Sequence, residues 1–105
     1  MMTNEDFLQL RKSYIEIGKL VQKYGYGRYD GILRLLGGQV NCIDSDEDYD
    51  EKMKYLLESY RKLFVSRSGL NDFVVYDPDA KLRNELNEKY NDELKNIWDI
   101  IKDYV

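Results

Sequence analysis

Residues 4–24 read NEDFLQLRKSYIEIGKLVQKY, and the spacing of the apolar side chains in this stretch decides the fold class. Phe7, Leu10, Tyr14, Ile17, Val21 and Tyr24 recur at intervals of 3, 4, 3, 4 and 3. Side chains three and four apart share one face of an α-helix, so this period predicts an amphipathic helix over 4–24. Leu8 and Ile15 widen the stripe. Thr3 precedes the run with Asp6 three residues on, which predicts a capping box in its short-chain form. Gly18 lies inside the helix, at a cost of about 1 kcal/mol relative to alanine unless a close neighbour needs the space.

Beyond Tyr24 the pattern stops at Tyr24-Gly25-Tyr26-Gly27, a turn composition. A second helix is expected from Tyr29 to Leu36, burying Tyr29, Ile32, Leu33 and Leu36. Gly37-Gly38 is expected to end it, because glycine takes the left-handed conformation that closes helices. Residues 39–43 then read as a brief extended stretch. Asp44 or Ser45 opens a third helix with Tyr49, Met53, Leu56, Leu57, Tyr60, Leu63 and Phe64 on its apolar face, running to about Val65. Ser66 to Asp72 reads as a turn, and Phe73-Val74-Val75-Tyr76 as a short extended segment. Asp77-Pro78 has the composition of a helix start. The last helix, about 78–104, is expected to bury Leu82, Leu86, Tyr90, Leu94, Ile97, Trp98, Ile101 and Tyr104. The fold class read from these patterns is all-α: a four-helix bundle-like single domain over 1–105, with two very short strands at 39–43 and 73–76.

Composition agrees with one folded domain. The chain has 105 residues, too few for two independent cores, and its 43% hydrophobic content excludes global disorder. The polar, acidic start lacks the apolar run of a secretory signal, and no stretch approaches the roughly 18 apolar residues that cross a bilayer. Cys42 is the single cysteine, so no internal disulfide can form. Together these features point to a cytoplasmic protein with no membrane association.

The chemistry-bearing residues are few. The chain has no histidine, which removes Ser-His-Asp and Cys-His catalysis and most zinc sites. Cys42 sits between Val40 and Ile43 and reads as a small buried hydrophobe. The glycine pairs do not open a helix or precede a lysine as phosphate-binding loops do. No cofactor is implied, and no enzyme.

Charge is the stronger signal. The net charge is −4, against general nucleic-acid binding. Seven acids and two lysines fall within 41–60, so this segment alone carries −5. Asp44, Asp46 and Asp48 match positions 1, 3 and 5 of an EF-hand loop. The positions that need glycine and glutamate hold Tyr49 and Tyr55, so the match fails. Two readings stay open for Asp44, Asp46, Glu47, Asp48, Asp50 and Glu51. Acids in a first helical turn stabilise the helix through its dipole; acids on a surface also recruit a basic protein partner. Tyr26 and Tyr55 lie off the apolar stripes, and exposed tyrosines favour interfaces.

Gly69, Leu70, Asn71, Asp72, Phe73 and Val75, with Leu86-Asn87 in the closing helix, carry a resemblance over the last half of the chain. This turn, apolar run and helix are similar to those of a family of small bacterial proteins of unassigned activity, some held to be immunity proteins of polymorphic toxins. The resemblance implies no catalytic residue. Asn71-Asp72 also has a purely local reading as turn chemistry.

The expectation is therefore a non-enzymatic protein-binding module, an immunity protein in its sharpest form. It would neutralise a basic toxin domain through Asp44, Asp46, Glu47, Asp48, Asp50, Glu51 and Tyr55. The alternative is a self-associating structural or scaffolding subunit, a homo-oligomer that uses the heptad-like stripe of the first helix or the long last helix as its seam.

Overall fold

In a computed structural model that describes residues 1–64 and 69–105, the helical period governs nearly the whole chain. The described residues form four α-helices: α1 (Asn4–Tyr24), α2 (Asp30–Asp44), α3 (Tyr49–Phe64) and α4 (Ala80–Ile101). A single 3-10 turn, Leu70–Asp72, lies between α3 and α4. The Ser66-Arg67-Ser68 part of the expected turn, and the end of the third helix at Val65, fall outside the described residues.

α1 is the central helix. It packs along α4 on one side and α2 on the other, and α3 packs against α2. Its stripe of Leu10, Tyr14, Ile17, Val21 and Tyr24 is buried between these neighbours. Each such side chain, fully buried, contributes roughly 1.5–3 kcal/mol of hydrophobic stabilisation. Leu8, expected to widen the stripe, is instead exposed. The capping box forms as its composition requires: Thr3 Oγ accepts from the Asp6 amide at 3.1 Å, and an Asp6 carboxylate oxygen accepts from the Thr3 amide at 3.0 Å. One ion pair ties α1 to each flank, Arg11 to Asp44 of α2 and Glu16 to Lys89 of α4, both at 2.8 Å.

Four further expectations require correction. Residues 39–43 are not a strand; α2 continues through Gly37-Gly38 to Asp44. The continuation is driven by burial, since Ile32, Leu36, Gln39 and Ile43 form one buried helical face across the glycines. The cost of about 1 kcal/mol per mid-helix glycine is outweighed by that face. Residues 73–76 are extended, yet no strand forms among the described residues. Their partner is a side chain: the Asn87 carboxamide accepts from the Val75 amide at 2.8 Å and donates to the Val75 carbonyl at 3.1 Å. A carboxamide offers the donor and acceptor of a peptide group, so Asn87 stands in for a neighbouring strand.

The third and fourth corrections concern helix starts and one face of α4. The third helix opens at Tyr49, with Asp48 as its cap, and not at Asp44 or Ser45. α4 starts at Ala80 with Asp79 as its cap; the Asp79 carboxylate accepts from the Leu82 amide at 3.1 Å. Asp77 accepts from the Asp79 amide at 2.9 Å and from the Tyr24 hydroxyl at 3.0 Å, linking α1 to the start of α4. On α4, Tyr90, Ile97 and Ile101 are buried and Leu86 and Leu94 partly so, but Leu82 and Trp98 are exposed; the helix ends at Ile101 and not near 104, and Tyr104 lies partly buried beyond it. α4 packs principally along α1, so only one stripe of it is covered.

Candidate protein-binding site

The acidic residues converge where the end of α2 meets the start of α3. α2 closes at Ser45, whose hydroxyl donates to the Cys42 carbonyl at 2.7 Å and accepts from the Glu47 amide at 3.3 Å. This fixes a four-residue connection, Ser45 to Asp48. Asp48 then caps α3, accepting from the Glu51 amide at 2.9 Å. The Lys52 ammonium reaches back to donate to the Ile43 carbonyl at 2.9 Å, satisfying one of the orphan carbonyls at the C-terminus of α2. It also lies 5.9 Å from the centre of the Phe7 ring.

Two of the expected partner-binding acids are thereby committed within the chain. Asp44 takes a bidentate pair from Arg11, at 2.8 and 3.1 Å. The guanidinium holds this carboxyl below the usual carboxylate range. Asp48 serves as the cap. Asp46, Glu47, Asp50 and Glu51 are exposed, and their carboxylates form no ion pair among the described residues.

Glu47, Glu51 and Tyr55 line one groove of about 460 Å³, floored by Gly38, Asn41, Cys42 and Ser45. Tyr55 and Gly38 set its shape. The Tyr55 hydroxyl occupies the space that any Cβ at Gly38 would enter, so the absent side chain lets the ring lie against α2. Tyr55 remains 40% exposed, a large amphipathic surface beside two carboxylates. Cys42 is half-buried at the groove floor, and burial pushes its thiol above the ordinary range, against a reactive thiolate.

Gly38, Asn41 and Cys42 were not legible as site residues, because 37–43 reads as a helix stop and a strand. The signal that finds them is the apolar period Ile32, Leu36, Ile43, which runs through the glycines. The other off-stripe tyrosine, Tyr26, is 66% exposed in a left-handed turn at the far end of α1, with φ of 51°. It shares no site with the acidic corner.

Among the described residues no three acidic or thiol side chains are gathered to hold a metal ion. No described helix is long and apolar enough to cross a membrane. Asn71 and Asn87 of the resemblance have structural roles: Asn71 donates to the Phe64 carbonyl at the end of α3, and Asn87 pins Val75. Compared with protein-family models, curated proteins and solved structures, the chain matches none.

Proposed function

We propose that this chain is a non-enzymatic protein-binding module that receives a basic protein partner at the α2–α3 corner. An immunity protein that neutralises a bacterial toxin domain is the specific form of this reading. The observation that carries it is the groove flanked by Glu47, Glu51 and the half-exposed ring of Tyr55, with Asp46 and Asp50 beside it. Charges left uncompensated on a surface accelerate encounter with an oppositely charged partner and are screened by salt. The tyrosine supplies area at small entropic cost.

The test uses the chain as bait in an extract of its source organism, with bound proteins identified by mass spectrometry. A stoichiometric basic partner is expected, with an affinity that falls as salt rises. The variant D46N/E47Q/D50N/E51Q keeps Asp48 and Asp44 and so leaves the cap and the Arg11 pair intact. It should lose that partner. Equal capture by wild type and variant, or a partner with no salt dependence, would overturn the reading.

A further inference from the structure

A second surface lies between α3 and α4. The rings of Tyr60 and Phe64 stack at 4.7 Å, and Tyr60 lies nearly parallel to Trp98 at 6.3 Å and 27°. Trp98, the only tryptophan of the chain, is 47% exposed. Two shallow hollows adjoin these rings. One, of about 340 Å³, is walled by Tyr60, Phe64, Leu94 and Trp98. The other, of about 420 Å³, is walled by Leu57, Tyr104 and Val105 together with Glu58 and Arg61. A strip of clustered, partly exposed rings of this kind marks an interaction surface more than scattered exposed residues do.

We infer that this strip docks a second copy of the same chain, α4 against α4 in antiparallel register. The argument is the charge pattern beside Trp98. Asp92, Lys95, Asp99 and Lys102 are all exposed and follow one another at intervals of 3, 4 and 3, which places them on one line along α4. Their signs alternate. About a two-fold axis near residue 97, Asp92 faces Lys102 of the second copy and Lys95 faces Asp99 of the second copy. The line is thus its own antiparallel complement, whereas parallel pairing would set like charges opposite each other. Self-complementarity of one patch is what a two-fold dimer interface requires.

Within the chain Lys95 and Asp99 pair at 3.4 Å while both stay exposed. Such a pair is weakly held, so exchange to the second copy is nearly free of penalty. The two Trp98 indoles then lie side by side and cover one another.

Sedimentation equilibrium on the full chain, with Trp98 emission followed on dilution, tests this. The expected result is a concentration-dependent dimer whose dissociation shifts the emission to the red. K95D/K102D makes the line wholly acidic, and D92K/D99K makes it wholly basic. Each should weaken self-association at least about tenfold, and an equimolar mixture should recover a heterodimer. All four positions are exposed, and circular dichroism checks that each variant folds. A strict monomer up to about 1 mM, which lies at the weak limit of specific association, overturns the proposal. So does a dimer in which neither variant changes the association or Trp98 emission ignores it, and so does a mixture that stays monomeric.

Discussion

The hydroxyl of Tyr55 rests against the backbone of Gly38, in the space a β-carbon would need, while the adjacent Gly37 has nothing within 4 Å of its own β-carbon direction. Two neighbouring glycines in one helix thus have different reasons to be there. Gly37→Ala should stabilise the fold by about 0.5–1 kcal/mol, the ordinary gain of alanine in an exposed helix interior. Gly38→Ala should gain less than this or lose stability, because the Tyr55 ring must move off the groove. Urea denaturation of both variants checks the difference, and Gly38→Ala should also weaken partner capture where Gly37→Ala does not.

Tyr14 and Tyr90 are both buried, and burial raises both phenols well above the ordinary range. Their hydroxyls differ. Tyr90 donates to the Leu70 carbonyl, whereas the Tyr14 hydroxyl finds no hydrogen-bond partner among the described residues. Tyr90→Phe should therefore cost about 1 kcal/mol, and Tyr14→Phe should be neutral or slightly stabilising. Thermal and urea unfolding of the two variants would show the ranking. An equal loss in both would contradict it.

Asn87 carries the extended segment. Asn87→Leu leaves the amide and carbonyl of Val75 unpartnered beside a fully buried side chain, at a cost of about 2–3 kcal/mol. Amide hydrogen exchange gives a sharper readout than global stability. The Val75 amide should lose most of its protection in this variant, with the α1 amides little changed.

The two ion pairs of α1 predict the acid side of the stability curve. Arg11 holds Asp44 below the usual carboxylate value near 3.8, and Lys89, with Lys19, holds Glu16 below the value near 4.5. A carboxyl whose folded pKa is depressed contributes stability that is present above its unfolded value and is lost as pH falls through the folded one. Both groups are exposed enough that the effect is small. The variant E16Q/D44N should be less stable than wild type at pH 7, and the difference should shrink as pH falls past the ordinary carboxylate values and through the depressed folded ones. Urea midpoints across that range measure it. A difference that persists at low pH would mean the loss is not electrostatic.

Local pattern was sufficient for much of this molecule. The apolar period of 4–24, the Thr3–Asp6 box and the break at Gly25 to Gly27 involve neighbours in the chain, and each appears where composition places it. The extended character of 73–76 was legible too, and so was the acidic segment. What depended on distant neighbours was not. α2 runs through Gly37-Gly38 because Gln39 and Ile43 are buried against other helices, an energy no window of the sequence contains. Asp79 and not Asp77 caps the last helix, while Asp77 bridges the Asp79 amide and the hydroxyl of Tyr24, 53 residues away. Asp44 drops out of the free acidic surface because Arg11, 33 residues away, neutralises it. Trp98 stays exposed because α4 packs principally along α1. Period, capping and turn chemistry are short-range and are encoded in adjacent residues. Which face is covered, and which charge stays free, follows from packing between helices, and that is decided only when the chain is folded.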